Sequence, residues 1–276
     1  MTRVLITGGR GMLGRALLER QPAGLVVLTA DLPEVDVASA EAVRECFRDF
    51  GPDTVVHCAA MTDVDGCETD PQAAWRANVE ASKTVAAACR ESVRLVALST
   101  DFVFDGRQTR PYTEADAPAP LSVYAGTKLA GEERVRALAA NHAIVRTAWA
   151  FAPWGRNFVL AILRAAREQG RLRVVTDQVG SPTYALDLAD ALWTLAATDG
   201  RGTFHVTNAG VVSRYDFARE IVAAAGMAEV PVEPIRSADL GQPATRPAYS
   251  ALASTRRPAL RHYGEALAEC LGRMAY

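Results

Sequence analysis

The stretch TGGRGMLG, residues 7–14, constrains the fold of this chain more than any other. It follows a short β-branched run and opens an amphipathic one, so it predicts a strand, a turn and a helix in succession. Gly8, Gly11 and Gly14 allow a tight turn, a close backbone approach and a free helix N-terminus, and together these bind a pyrophosphate. A Gly-Lys-Ser/Thr sequence does not follow, which disfavours a nucleoside triphosphatase. The stretch therefore predicts a dinucleotide site.

Short apolar runs alternate with helical runs through the first half of the chain, at residues 25–30, 53–60 and 93–100. This alternation is typical of parallel strands covered by helices on both faces. It predicts an α/β fold with a doubly wound parallel (Rossmann) sheet. Residues 1–148 are expected to form the dinucleotide-binding domain. Residues 149–276 are expected to form mainly a smaller C-terminal substrate-binding lobe, with some segments returning to the sheet.

Composition excludes several classes of protein. Of the 276 residues, 49% are hydrophobic and 22% charged, which is ordinary for a folded globular chain. The 30 basic and 32 acidic residues nearly balance, so we expect no nucleic-acid or membrane partner. With no leader-like start and no long apolar run, the sequence predicts a cytoplasmic protein. The five cysteines lack CxxC spacing and the four histidines are scattered, so no metal site is expected.

One acidic residue bears on the choice of cofactor. Asp31 ends the second predicted strand, where a carboxylate bonds the adenosine ribose hydroxyls of a dinucleotide. This position favours NADH over NADPH. The alternative is a plain turn aspartate before Pro33.

Tyr124 and Lys128 are four residues apart in a predicted helix, so they share one face. A neighbouring ammonium favours the phenolate, so we expect Lys128 to lower the pKa of Tyr124 and make it a general acid near neutrality. The fourth predicted strand ends at Thr100, whose hydroxyl can orient the same substrate carbonyl. Alternate strand residues face opposite sides, so Thr100 is preferred and Ser99 is the alternative.

These motifs occur in order along nearly the whole chain and resemble the extended short-chain dehydrogenase/reductases, and within them the dTDP-4-dehydrorhamnose reductase family. The matching stretches are TGGRGMLG, CAAMTDVDGCE, STDFVFDG, PYTEADAPAPLSVYAGTKLAGE, RTAWAFAPWGRNFV, VVTDQVGSPTYALDLAD and RPAYSAL. The resemblance implies reduction of the C4 ketone of dTDP-4-dehydro-L-rhamnose with NADH or NADPH. It also implies that Thr100, Tyr124 and Lys128 form the catalytic group, and that Lys128 binds the nicotinamide ribose.

The resemblance implies further binding residues. For the cofactor, beside the three glycines and Asp31, they are Met12, Leu13, Asp36, Val37, Ala59, Ala60, Thr62, Tyr124 and Lys128. For the dTDP-sugar they are Thr100, Asp101, Tyr124, Trp149, Gln178 and Arg246, of which Gln178 and Arg246 would contact the diphosphate. Core packing is the alternative for Trp149, and a surface salt bridge is the alternative for Arg246.

Two positions depart from the family pattern. Arg15 and Ala16 stand where some relatives place an acidic ligand of an intersubunit magnesium ion, so that metal is not implied here. Leu32 replaces an arginine that many relatives have beside the second-strand acid, which again favours NADH.

Two other functions stay open at this stage. One is a 4-ketoreductase for another dTDP-deoxysugar in secondary metabolism. The other is a non-catalytic dinucleotide-binding regulatory subunit similar to that of methionine adenosyltransferase, against which the Tyr124 and Lys128 pair argues. The sequence allows a homodimer.

Overall fold

The computed structural model describes residues 1–89 and 92–274. The strands are β1 (Arg3–Thr7), β2 (Val26–Ala30), β3 (Thr54–His57), β4 (Arg94–Thr100), β5 (His142–Thr147), β6 (Ala150–Phe151), β7 (Leu172–Val175), β8 (Val179–Gly180), β9 (Thr183–Tyr184), β10 (Gly202–His205), β11 (Asn208–Ala209), β12 (Val212–Ser213), β13 (Val232–Ile235) and β14 (Leu260–His262). The helices are α1 (Met12–Glu19), α2 (Ala40–Phe50), α3 (Val64–Thr69), α4 (Pro71–Trp75), α5 (Ala81–Ala88), α6 (Val123–Leu138), α7 (Phe158–Gln169), α8 (Ala185–Ala196), α9 (Arg214–Ala224) and α10 (Tyr263–Gly272).

A parallel sheet of six strands, in the order β10-β5-β4-β3-β1-β2, forms the centre of the molecule. The predicted doubly wound α/β fold is confirmed. The strand order reverses between β1 and β3, because β2 lies on one side of β1 while β3, β4 and β5 follow on the other. In such sheets, ligands bind at the carboxyl ends of the strands beside this reversal.

The chain beyond residue 148 is divided between the sheet and a smaller lobe. Strand β10 joins the sheet beside β5, and α8 packs on α1. The remaining strands form two-stranded ladders, and one apolar cluster runs from the sheet through α8 to α7, α9 and α10. The lobe therefore shares its core with the sheet, and a domain boundary at residue 148 stays a prediction. None of the helices in the described ranges has the length and apolar character that a bilayer span requires.

Helix α6, which carries Tyr124 and Lys128, begins where its sequence allows it to begin. The Ser122 hydroxyl accepts a hydrogen bond from the Ala125 backbone N–H at 3.3 Å, so it caps the first turn. The Val123 N–H donates to the Glu68 carboxylate at 2.8 Å. These two contacts fix the first turn of α6, and with it the position of Tyr124.

The amphipathic run DPQAAWRANVEASKTVAAACRES, residues 70–92, predicts one helix, but a π-helical segment, Arg76–Glu80, interrupts it in the structure. Within it, the Asn78 side chain accepts from the Met61 N–H at 2.8 Å and donates to Thr127 Oγ1 at 3.0 Å. Asn78 therefore joins the loop after β3 to α6. Of the predicted helix, Arg90 and Glu91 lie outside the described residues.

His57, at the end of β3, is buried in a chain of hydrogen bonds beneath the glycine loop. Ser82 donates its proton to the Asn78 carbonyl oxygen, so the Ser82 oxygen accepts from His57 Nε2 at 3.3 Å. His57 Nδ1 then accepts from the Thr7 hydroxyl at 2.7 Å. This arrangement fits a neutral imidazole, and burial lowers the pKa of His57 from 6.5 to about 3.

We expect His57 to make the stability of the protein depend on pH. The unfolded chain binds a proton on this imidazole below about pH 6.5, whereas the folded chain binds it only near pH 3. His57 therefore contributes fully above pH 6.5, and its contribution falls by about 1.4 kcal/mol per pH unit as the pH drops below that value. Urea unfolding between pH 7.5 and 5 should show a flatter pH profile for His57→Asn than for the wild type. The exposed His262→Asn variant should keep the wild-type slope, and parallel profiles for all three proteins would contradict the assignment.

Candidate active site

The glycine loop leaves no room for side chains at two of its three predicted positions. Gly8 has φ +74°, and a Cβ there would lie 2.7 Å from the Ala59 backbone nitrogen. A Cβ on Gly14 would lie 2.3 Å from the Gly8 carbonyl oxygen. The loop after β1 thus packs directly against the loop after β3, and the start of α1 packs against the glycine loop.

A cavity of about 460 Å³ lies over this loop, at the sheet edge where the strand order reverses. Several residues predicted to bind the cofactor line it: Gly8, Gly11, Asp31, Asp36, Val37, Ala59 and Ala60. Six others do not line this cavity: Met12, Leu13, Gly14, Tyr124, Lys128 and the exposed Thr62. The glycine backbone, the carboxylates and the apolar walls are the groups that an adenosine diphosphate requires, so the cavity fits a dinucleotide.

The rim of the cavity is acidic by one charge, because Asp31, Asp36 and the adjacent Glu34 stand against Arg10 and Arg76, and Arg76 pairs with Asp36. Both oxygens of Asp31 lie 3.3 Å from the Arg10 backbone nitrogen. The Arg10 guanidinium donates to the Leu32 carbonyl oxygen at 2.6 Å and pairs with Glu34 at 2.7 Å. The ion pair with Glu34 neutralises the charge of Arg10, which is the cation beside Asp31.

The three residues predicted to be catalytic meet at the carboxyl end of β4. Lys128 Nζ donates to the Leu98 carbonyl oxygen at 2.8 Å. Thr100 lies on the Tyr124 side of the strand, where its hydroxyl is close enough to the phenol to lower the phenol pKa. Ser99 lies on the other side, toward Glu132. Of the two hydroxyls considered from the sequence, the structure brings that of Thr100 to Tyr124.

The predicted effect of Lys128 on Tyr124 is wrong for this structure. Burial raises the pKa of Tyr124 above its ordinary value, and the opposing effect of the Thr100 hydroxyl is smaller. Burial also lowers the pKa of Lys128 to about 8, and its ammonium donates to a backbone carbonyl. The shared helix face is present, but burial dominates the pKa of the phenol. Tyr124 is therefore a protonated phenol at neutral pH.

Asp101 follows Thr100 and is buried. Its carboxylate accepts from the Thr100 hydroxyl at 3.1 Å and from the Ser250 hydroxyl at 2.5 Å. Burial raises its pKa to about 6, against the effect of these hydrogen bonds. The contact with Ser250 fixes the Thr100 loop to a segment of the chain 149 residues away. The RPAYSAL stretch contains Ser250, but sequence analysis did not assign it a role.

The other residues predicted to bind substrate differ in backbone conformation and in whether they already have protein partners. Trp149 has a left-handed backbone, φ +47°, which is uncommon for a residue with a side chain. Gln178 is buried and donates to the Ser237 hydroxyl at 2.9 Å. Arg246 donates to both oxygens of Asp65, at 2.9 and 2.7 Å. The ion pair of Arg246 matches the alternative considered from the sequence.

Arg214, the first residue of α9, also lies beside these residues, and the sequence did not indicate it. Its guanidinium carbon lies 3.6 Å from the centroid of the Trp149 ring. Arg214 and Asp101 also influence each other electrostatically. No sequence signal distinguishes this arginine from an ordinary residue in the first turn of a helix.

Comparison with known proteins places the chain in a family. The model of the RmlD substrate binding domain matches residues 1–276. The dTDP-4-dehydrorhamnose reductase of Mycobacterium tuberculosis (strain H37Rv) is 41% identical over 98% of this chain and 92% of its own length. A probable dTDP-4,6-dihydroxy-2-methyloxan-3-one 4-ketoreductase of Streptomyces antibioticus is 40% identical over 92% of this chain and 88% of its own length.

A solved structure agrees with these matches over the same length. The crystal structure of dTDP-4-dehydrorhamnose reductase from Bacillus anthracis, in complex with NADP, superposes with a TM-score of 0.94 at 34% identity. It covers 98% of this chain and 99% of the other. The glycine loop, the Thr100, Tyr124 and Lys128 group and these full-length matches all support one assignment: the chain belongs to the dTDP-4-dehydrorhamnose reductase family of extended short-chain dehydrogenase/reductases.

Proposed function

We propose that this protein reduces the C4 ketone of dTDP-4-dehydro-L-rhamnose to dTDP-L-rhamnose, using NADH or NADPH. The observation that carries the proposal is the meeting of Thr100, Tyr124 and Lys128 at the end of β4, beside a cavity that fits a dinucleotide. The reduced nicotinamide would supply the hydride. Membership of the family supports the dTDP-sugar as the substrate.

Each catalytic residue has a distinct proposed role. Tyr124 is the general acid that protonates the carbonyl oxygen, since burial keeps its phenol protonated at neutral pH. Thr100, whose hydroxyl donates to Asp101 in this structure, would turn its proton to that oxygen to orient it when substrate binds. Lys128, fixed by the Leu98 carbonyl, binds the nicotinamide ribose and stabilises negative charge that develops on the phenol.

The binding roles predicted for the remaining residues are kept as proposals. The residues lining the cavity would bind the cofactor. Four residues that do not line it would contribute as well: Met12, Leu13, Gly14 and Thr62. Asp101 and Trp149 would contact the sugar. Gln178 and Arg246 would lie near the diphosphate, although both already have protein partners.

The acidic rim supports a preference for NADH. A 2′-phosphate beside Asp31 would meet a second carboxylate, Glu34, and an arginine that Glu34 already neutralises. The NADP complex of the Bacillus anthracis reductase is a property of that relative. In this chain Glu34 pairs with Arg10, so that arginine is not free to bind a 2′-phosphate, and the pair favours NADH over NADPH.

Glu34→Gln should therefore raise the ratio of kcat/KM with NADPH to kcat/KM with NADH by about two- to fivefold. Removing the carboxylate removes a repulsive charge and frees Arg10 to meet the 2′-phosphate, and an exposed charge pair is worth a few tenths to one kcal/mol. Steady-state kinetics with both cofactors measures the ratio, and the gain should shrink at high salt. Glu41→Gln, which changes an exposed carboxylate outside the cavity, should leave the ratio unchanged. An unchanged ratio in the Glu34 variant would rule out this pair as a determinant.

The experiment that tests the reductase itself is a substrate panel. The purified protein is mixed with NADH or NADPH and several dTDP-4-keto-sugars, the fall in nicotinamide absorbance is followed, and the product stereochemistry is determined by NMR. Preferred turnover of dTDP-4-dehydro-L-rhamnose to the L-rhamno product supports the proposal.

Two other outcomes would replace the proposal. Turnover of a different dTDP-4-keto-sugar would assign a 4-ketoreductase of deoxysugar metabolism, a function favoured by the 40% identity to the Streptomyces antibioticus protein. Tight dinucleotide binding without turnover of any sugar would assign a regulatory subunit. For the compartment we propose the cytoplasm, which fits five cysteines that are all free thiols.

A further inference from the structure

Among the residues that the structure describes, the Arg214 guanidinium has no hydrogen-bond or ion-pair partner. Its backbone N–H donates to the Gln178 carbonyl oxygen at 2.9 Å, which fixes the start of α9. Its guanidinium carbon lies 3.6 Å from the Trp149 ring centroid and 4.6 Å from that of Phe158. Within residues 1–89 and 92–274, no side-chain hydrogen bond or carboxylate contact within 4 Å involves this guanidinium.

One carboxylate, Asp101, and one arginine, Arg246, act electrostatically on Arg214. Burial lowers the pKa of Arg214 to about 9, the charge of Asp101 raises it, and the charge of Arg246 lowers it further. Arg214 therefore remains a cation at neutral pH. Both oxygens of Asp101 already accept hydroxyl protons, from Thr100 and Ser250.

The second arginine of the cleft is already neutralised. Arg246 donates to both oxygens of Asp65 and also to the Ala244 carbonyl oxygen, at 2.8 Å. Arg214 and Arg246 lie close enough to repel each other, yet only Arg246 has a carboxylate of its own. Asp65 and Asp101 thus balance the two arginine charges, but within the described residues Arg214 has no direct contact with a carboxylate.

The surroundings of Arg214 hold its guanidinium in one orientation. Trp149 has a left-handed backbone, φ +47°, which is uncommon for a residue with a side chain. Its ring packs so closely on Gly180 that a Cβ at Gly180 would lie 2.5 Å from Trp149 Cε2. A guanidinium stacked on this fixed indole has its N–H groups free for a ligand at its edge.

We propose that Arg214 is a further residue that binds the diphosphate of the sugar nucleotide in this protein, beside Gln178 and Arg246. The inference rests on the proposed function for the identity of the ligand. A desolvated arginine fork suits phosphate oxygens, and Arg214 has donors to offer where Arg246 has largely committed its own. The phosphates of the dinucleotide belong at the glycine loop, whereas Arg214 lies beside Gln178 and acts electrostatically on Arg246, the two residues proposed to lie near the substrate diphosphate.

Binding of dTDP, measured by calorimetry without any turnover, tests this role. Arg214→Gln should weaken dTDP binding by about 10- to 100-fold, the value of one hydrogen bond to a charged group. It should also reduce the salt dependence of dTDP binding and leave the Kd for NADH unchanged. Arg214→Lys, which keeps the charge without the fork, should lie between the two proteins. Arg219→Gln, an exposed arginine on the same helix, should bind dTDP like the wild type.

Two results would overturn the role. One is a Kd for dTDP within threefold of the wild type in Arg214→Gln. The other is a parallel loss of dTDP and NADH binding, which would show that Arg214 only supports the fold. Failure of the reductase proposal is a separate result, because a protein that binds dTDP through Arg214 but reduces no dTDP-4-keto-sugar would keep this inference and lose that function.

Discussion

Tyr124→Phe is expected to lower kcat at least about 100-fold while the Kd for NADH stays near that of the wild type. The variant loses only the phenolic hydroxyl, and general acid catalysis by one side chain is worth about 10²–10⁴-fold in rate. The ring itself should stay in place, because it packs edge-on against Phe102 with centroids 5.9 Å apart. Single-turnover kinetics and fluorescence titration with NADH measure the two quantities separately.

The control for this variant is Tyr112→Phe. Tyr112 is also buried, and its hydroxyl donates to the Asp105 carboxylate at 2.8 Å, away from the three catalytic residues. Its loss should cost about 1 kcal/mol of stability and leave kcat nearly unchanged. If the Tyr124→Phe protein kept the wild-type kcat, Tyr124 would not be the general acid.

The parts of the molecule that follow from local pattern were predictable from the sequence. Strand β1, the glycine loop and α1 succeed one another within residues 3–19, so their periodicity and glycine spacing predicted both the fold and the dinucleotide site. The same reasoning placed Tyr124 and Lys128 on one helix, α6. Each of these features depends on residues that are close in the chain.

Features that depend on distant residues were not predictable in this way. Arg214 becomes notable only because Trp149 lies beneath it, 65 residues earlier in the chain. Ser250 reaches Asp101 across 149 residues. Neither contact leaves a periodic signal, since each depends on how the lobe packs on the sheet.

The expectation for the Tyr124 pKa failed for a physical reason. Helical spacing gives the distance between Tyr124 and Lys128 along α6, but it gives neither the burial of the phenol nor the partner of the ammonium. In the folded protein burial dominates, and Lys128 Nζ donates to the Leu98 carbonyl. Spacing therefore predicted the pair and could not predict its electrostatics.

Helix α6 also depends on a buried ion pair. Glu132, one turn after Lys128, accepts from Arg146 Nε at 2.8 Å and from an Arg146 terminal nitrogen at 2.7 Å. Both side chains are almost fully buried, with 2% and 3% exposure. Burial acts to raise the pKa of Glu132, but Arg146 and the other partners outweigh it and hold that pKa below its ordinary value.

Glu132→Ala should destabilise the protein by about 3–5 kcal/mol, because it leaves the Arg146 charge buried without a carboxylate. For a chain of this size the melting temperature should fall by about 5–15 °C, measured by calorimetry together with urea unfolding. Glu133→Ala, at the exposed neighbouring position, should change stability by less than about 0.5 kcal/mol. The double variant Glu132→Leu with Arg146→Met should recover most of the loss, since an apolar pair of similar volume replaces both charges. If the double variant were as unstable as Glu132→Ala, the cost would come from lost packing, and the unpaired charge could not be its cause.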